Sequence, residues 1–183
     1  MKGAVFLDRD GTLNPDAGYI SRAEDFFLFE ETPLALRKLV DAGYPLVVVT
    51  NQSGVARRLF SLEELHEIHA AMEKQLAEHG VFLTAIYGCP HHPEENCRCR
   101  KPGIGMFERA SKEHGIDLRG SFMVGDSLVD VQAGRAAGCQ TIWIDRKYPN
   151  NKDEGEIRKL AHYTAESLMG AVDWMLKLSG RRE

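Results

Sequence analysis

The sequence predicts an α/β fold with three layers: a parallel sheet covered by helices on both faces. Three observations predict it. Apolar runs of strand length, "GAVFLD" (3–8), "PLVVVT" (45–50), "FLTAIYG" (82–88), "SFMVGD" (121–126) and "QTIWID" (140–145), recur along the chain. Segments with helical spacing of apolar residues lie between them. The run at 45–50 is β-branched without polar alternation, as expected of a strand buried on both faces. Strand, helix, strand, repeated, describes an open parallel sheet.

The elements follow in order. The first strand ends at two aspartates, Asp8 and Asp10. "TPLALRKLVDAG" frames a helix, with Thr32 as N-cap, Pro33 at the first helical position and Gly43 past the end. After the second strand, Ser61 and Glu64 fit a capping box, and Leu62, Leu65, Ile68, Met72 and Leu76 then recur at helical spacing until Gly80. "GMFERASKEHG" and "LVDVQAGRAAG" read as helices flanking the fourth strand. Residues 147–158 are polar and are expected to form a loop, and the tail from Ala165 to Leu178 is again helical in spacing. His66 and His69, three apart, are expected on a solvated helix face.

At 183 residues the chain is the size of one domain. Hydrophobic residues make up 43% and charged residues 27%, ordinary for a soluble globular protein. The formal net charge of −4 argues against a general nucleic-acid or anionic-membrane binder. No leader-like apolar stretch opens the sequence and no apolar segment approaches membrane-spanning length. A cytoplasmic, monomeric protein is the expectation.

In parallel sheets of this kind ligands sit beyond the carboxyl ends of the strands. Those ends carry Asp8 and Asp10, Thr50 and Asn51, and Asp126. Residues two apart on an extended chain point the same way, so Asp8 and Asp10 can face one ligand. Gly11 permits a sharp turn after them. Asp126 arrives in "VGDSLVD", with Asp130 one helical turn later. Acidic groups meeting at one edge without a thiol or imidazole suit a hard cation such as Mg²⁺. Lys101 can neutralise further negative charge, and Thr50, Asn51 and Ser53 add short polar groups. Carboxylates, Mg²⁺, one lysine and short donors together match the needs of phosphoryl transfer.

The order of these pieces, DxDGT after the first strand, T-N after the second, K-P before a helix and GD-x3-D after the fourth, resembles the haloacid dehalogenase-like phosphatases over nearly the whole chain. The resemblance implies a Rossmann-like fold with Asp8 as nucleophile, forming an aspartyl-phosphate. It implies Asp10 as general acid and then general base. Thr50 and Lys101 would bind the phosphoryl group. Mg²⁺ would be held by the Asp8 carboxylate, the Asp10 backbone carbonyl and Asp126, with Asp130 supporting Lys101 or its loop.

A second metal site is legible in "CPHHPEENCRCRKP" (89–102). Cys89, His91, Cys97 and Cys99 form a Cys₃His set for tetrahedral zinc within 89–101. His92 could ligate in place of His91, although the paired spacing favours His91. Zinc there would stiffen a loop that delivers Arg100 and Lys101 to the phosphate edge. Cys139 stands apart and is expected to be a small buried apolar residue.

The intervals between motifs leave no room for a cap domain. The flap "NPDAGYISRAEDF", the loop "NQSGVARRLF" and the zinc loop must then shape the site. Such a capless, zinc-loop chain is similar to the members of the family that act on heptose bisphosphate or histidinol phosphate. The heptose branch implies hydrolysis of the C7 phosphate of D-glycero-D-manno-heptose 1,7-bisphosphate. It also implies sugar contacts from Asp16, Gly18 and Tyr19, and sugar or distal-phosphate contacts from Ser53 and Arg57. Arg100, with its planar fork, would bind the second phosphate. Only five residues separate His91 from Cys97, a short zinc loop also found in histidinol-phosphate phosphatases, so that alternative stays open. So does a nucleic-acid-binding knuckle formed by Arg98, Arg100 and Lys101 on an inactive scaffold, against which the intact Asp8, Asp10 and Asp126 argue.

Overall fold

A computed structural model describes residues 2–148 and 151–179. Six parallel strands form one sheet in the order β3-β2-β1-β4-β5-β6: β1 (Val5–Leu7), β2 (Leu46–Asn51), β3 (Ala85–Cys89), β4 (Phe122–Gly125), β5 (Gln140–Ile144) and β6 (Tyr163–Ala165). The helices are α1 (Thr32–Asp41), α2 (Leu62–Ala77), α3 (Gly105–His114), α4 (Leu128–Ala137), α5 (Glu154–Leu160) and α6 (Leu168–Ser179). The chain winds outward from β1 in both directions. The switch point therefore lies between β1 and β4, the place where doubly wound sheets open a crevice for ligands.

Side-chain alternation divides the core into two layers. Val5 and Leu7 of β1 face one cluster with Leu36 and Leu39 of α1, Ile68 and Met72 of α2, and Val172 and Met175 of α6. Phe6 points the other way, onto Phe107 of α3 with ring centroids 4.8 Å apart, in a cluster that includes Ala133 of α4. Both faces of the central strand are thus buried, which is why its apolar run is unbroken. Cys139 is 2% exposed within this second cluster, as expected.

The helix ends obey local chemistry. Ser61 accepts from Glu64 N at 3.1 Å while Glu64 accepts from Ser61 N at 2.6 Å, the predicted capping box. Gly43 follows α1 with φ +75°. Thr32 differs from expectation: Glu31 is the N-cap, and the Thr32 hydroxyl instead donates to Leu13 O at 2.8 Å, tying α1 to the loop after the first motif.

Two elements depart from the sequence reading. Of the loop expected over 147–158, residues 149 and 150 lie outside the described residues, and Glu154 onward forms α5. Its acidic first turn (Glu154, Glu156) and basic last turn (Arg158, Lys159) suit the helix dipole. Ile157 alone buries, against Val131 and Trp143. Two apolar residues, Ile157 and the partly buried Leu160, are too few to show a helical period. The helix expected over Ala165–Leu178 forms as α6, from Leu168, but an unexpected strand, β6, precedes it and pairs with β5 through Ile142↔Tyr163, Trp143↔Thr164 and Ile144↔Ala165. Three residues are too few to carry a period-2 pattern.

Candidate active site

β1 stops at Leu7, and the backbone N–H of Asp8 donates to Val124 O of β4 at 3.0 Å, so Asp8 sits at the switch point. The chain then turns at Gly11 (φ +81°), where a Cβ would stand 2.0 Å from Asp126 Oδ2. Glycine is required there twice over, by conformation and by the approach of that carboxylate.

A cavity of about 420 Å³ opens at these strand ends. Asp8, Asp10, Asp16, Gly18, Tyr19, Thr50, Asn51, Ser53, Arg100, Lys101, Asp126 and Asp130 all line it. Of the expected substrate contacts, Arg57 alone does not: it is exposed in the loop after β2. That loop turns tightly, with Arg57 N donating to Ser53 O at 3.0 Å and Arg58 in the left-handed region at φ 57°, and the side chain falls outside.

At the floor of the cavity Lys101 is 2% exposed. Its Nζ donates to Asp8 Oδ1 at 2.7 Å, Asp130 Oδ1 at 2.6 Å and Val49 O at 2.7 Å. Burial alone would weaken its charge, but Asp130 and Asp8 hold its pKa above the usual lysine range. Asp130 is fixed from behind, accepting from Ser127 N at 3.1 Å and from the Ser127 hydroxyl. The Asn51 side chain clasps the Lys101 backbone, accepting from its N–H at 3.0 Å and donating to its carbonyl at 3.1 Å. Asn51 thus lines the cavity while setting the lysine.

Asp8, Asp126 and Asp130 bring carboxylate oxygens within 4.8 Å of one another. Burial, followed by the Asp130 charge, pushes Asp8 up to about 7 against the opposing pull of Lys101. Burial, with Asp130 and Asp8 beside it, pushes Asp126 up to about 8. Three acids facing one ammonium leave negative charge unbalanced, and hard oxygen donors at this spacing fit a divalent cation such as Mg²⁺. Asp130, expected only as support, belongs to this group by distance as well as pairing with Lys101.

Asp10 shares the cavity with Asp8, yet other side chains enclose its carboxylate. Oδ1 accepts from Arg9 Nε at 3.1 Å, Arg9 Nη2 at 3.0 Å and Asn14 Nδ2 at 2.9 Å. Oδ2 accepts from Arg9 Nη2 at 2.8 Å and Gln52 Nε2 at 2.8 Å. The expected flap contacts form a surface turn, in which Asp16 accepts from Gly18 N at 2.9 Å and Tyr19 is half exposed.

The thiol cluster forms beside the lysine loop. His91 Nδ1 stands 3.2 Å from Cys99 Sγ and 3.5 Å from Cys89 Sγ. The Sγ atoms of Cys89, Cys97 and Cys99 are 3.3–3.5 Å apart. A tetrahedron with zinc bonds of 2.0–2.3 Å has edges of about 3.3–3.8 Å, close to these separations, so these donors fit that ion. The cysteines are free thiols. His92 is used otherwise, accepting from Glu94 N to start a short 3₁₀ turn.

A family model described as "HAD-hyrolase-like" matches residues 98–171. The D-glycero-beta-D-manno-heptose-1,7-bisphosphate 7-phosphatase of Haemophilus ducreyi is 45% identical over 181 residues, covering 95% of this chain and 98% of its own. That of Photorhabdus laumondii is 46% identical, covering 95% and 97%. The chain belongs to this heptose-bisphosphate phosphatase family. A solved family structure, D,D-heptose 1.7-bisphosphate phosphatase from B. bronchiseptica complexed with magnesium and phosphate, superposes with a TM-score of 0.86 at 34% identity. The match covers 97% of this chain and 99% of that one.

Several residues around this heptose-phosphatase site escaped sequence reasoning. Arg146, after β5, donates to Gly11 O at 2.8 Å and Thr12 O at 3.0 Å, and lies 4.1 Å over the Phe29 ring, bracing the turn between Asp8 and Asp10 and the rest of the chain. Val129 and Ser127 line the cavity. His69, expected in solvent, is 8% exposed, and burial with Arg9 nearby pushes it down to about 3. The apolar stripe Leu65–Ile68–Met72 already contained its neighbours, so its position on the buried side of α2 was the available signal. Nothing local announces Arg146 or Gln52.

Proposed function

We propose that the chain hydrolyses the C7 phosphate of D-glycero-D-manno-heptose 1,7-bisphosphate, acting as a cytoplasmic monomer of one domain. The observation that carries the reading is the pairing, in one cavity, of the Asp8–Lys101–Asp130 ion pairs with Arg100. Arg100 also lines the cavity and has a buried Nη1 without a hydrogen-bond partner among the described residues. The ion pairs suit a phosphate to be cleaved, and the unpartnered guanidinium suits a phosphate to be held. The names and full-length similarity of the relatives support the sugar.

An Asp8 oxygen attacks phosphorus, and the P–O bond to the sugar breaks as the new P–O bond forms. The departing sugar oxygen takes a proton from Asp10. Asp10 then removes a proton from water, whose oxygen attacks the aspartyl-phosphate, releasing inorganic phosphate and restoring Asp8. Lys101 and Thr50 balance charge on the phosphoryl oxygens. Asp8, Asp126 and the Asp10 carbonyl, with Asp130 alongside, would hold Mg²⁺, which supplies Lewis-acid neutralisation of the phosphoryl charge. Cys89, His91, Cys97 and Cys99 would hold structural zinc. Asp16, Gly18, Tyr19 and Ser53 face the sugar.

A Mg²⁺-dependent phosphate-release panel tests this reading, comparing the heptose bisphosphate, heptose and hexose monophosphates and histidinol phosphate. The bisphosphate is expected to give the highest kcat/KM and to lose one phosphate. Arg100→Ala is expected to lower kcat/KM on the bisphosphate far more than on an aryl phosphate. Faster turnover of histidinol phosphate would overturn the substrate. Equal losses in the variant would move Arg100 to the transferring phosphate.

A further inference from the structure

Gln52 follows directly after Thr50 and Asn51, yet it does not line the cavity and is 5% exposed. Its backbone is pinned, its N–H donating to Cys89 O at the end of β3 at 2.7 Å. Its side-chain Nε2 lies 2.8 Å from Asp10 Oδ2 and 2.8 Å from Thr50 Oγ1. An amide nitrogen carries two hydrogens, so both bonds form at once.

Each bond has a consequence. Donation into Thr50 Oγ1 occupies a lone pair of that hydroxyl and leaves its proton to seek another acceptor. Thr50 lines the cavity, where a phosphoryl oxygen would supply one. The bond to Asp10 fixes the carboxylate oxygen that Asn14 does not touch; among the described residues only Arg9 otherwise holds it.

We propose that Gln52 is a positioning residue, which through one amide nitrogen couples the proton-transferring carboxylate Asp10 to the phosphate-facing hydroxyl of Thr50. It touches no substrate and acts through both. The inference rests on the phosphatase reading above, with Asp10 as acid and base. Misplacing such groups by about 1 Å is known to cost on the order of 10²-fold in rate, and here one tether of several is lost.

The test compares a substrate whose leaving group needs a proton with one whose leaving group does not. The two are the heptose bisphosphate and 2,4-dinitrophenyl phosphate, each assayed with Gln52→Met, Gln52→Glu and, as reference, Asp10→Asn. Gln52→Met is expected to lower kcat on the sugar phosphate by about 30-fold with KM changed less than about 3-fold, within the limit set by that misplacement cost. On the dinitrophenyl ester the loss in kcat/KM, which reports formation of the aspartyl-phosphate and not its later hydrolysis, is expected to be several-fold smaller and to reflect Thr50 alone. Gln52→Glu keeps the shape but sets an acceptor against Asp10, and is expected to do at least as much harm; its thermal transition, lowered by the buried like charge, is measured alongside to show that it is folded at the assay temperature. It carries the test if Gln52→Met does not fold.

Equal losses in kcat/KM on the two substrates, or an unchanged kcat/KM on the sugar, would overturn the inference. If Asp10→Asn shows the leaving-group-dependent loss and the Gln52 variants do not, the inference alone fails. If Asp10→Asn also lacks it, the assignment of Asp10 fails and the inference falls with it.

Discussion

The Cys89–Cys99 cluster is assembled from eleven consecutive residues, whereas Asp8, Asp126 and Asp130 come from the ends of two strands and a following helix more than a hundred residues apart. Both bring donor atoms to within 4.8 Å, at the same edge of the sheet. The thiol cluster needs only its loop to fold. The carboxylate cluster needs β1 and β4 paired side by side, with Lys101 delivered between them from the loop that the thiols shape. Soft ligands at short spacing are thus a local property of sequence. A buried set of like charges exists only where the fold forces it and supplies a counter-charge.

Four changes break or sharpen that contrast. The largest effect belongs to the long-range cluster. Asp8→Asn keeps its shape and removes the attacking charge, so kcat should fall by at least about 10³-fold while the thermal transition survives. Near-normal turnover with Mg²⁺ present would exclude the covalent step.

Next comes the local cluster. The purified protein is expected to hold about one zinc per chain, and Cys97→Ser should lose it, lower the unfolding temperature and reduce kcat through the Arg100–Lys101 segment without touching Asp8. Elemental analysis and calorimetry check this. Fully active protein carrying no zinc would defeat it.

Arg146→Lys keeps a charge but cannot brace Gly11 O and Thr12 O while lying flat over Phe29. A kcat loss of about 10-fold with little change in KM is expected, because about 1.4 kcal/mol of positioning is removed. A KM effect alone would place Arg146 at the substrate instead.

The last effect lies behind the site and touches stability rather than rate. His69 is held neutral by burial, its folded value near 3 lying below the unfolded 6.5. Its depressed value therefore lowers stability as pH falls from about 6.5 toward 3, because the unfolded chain takes the proton first. At pH 5 the cost is about 2 kcal/mol. Between pH 7 and pH 5, His69→Leu should lose that much less stability than the wild type in denaturant titrations. Parallel losses would mean His69 is protonated in the fold.

The layered parallel sheet, most element ends, the capping box at Ser61 and Glu64, and the Cys₃His set were determined by the sequence alone. Each depends on neighbours within one or two helical turns, which spacing records. Tertiary structure alone decided what charge and burial do across the sheet: that Lys101 lies between Asp8 and Asp130, and that Arg9, Asn14 and Gln52 enclose Asp10. It also decided that His69 is buried, that Arg57 stays outside the cavity, and that Tyr163–Ala165 adds a strand. Those outcomes depend on which strands become neighbours and how much water their ends lose, and no local pattern encodes distances between residues a hundred positions apart.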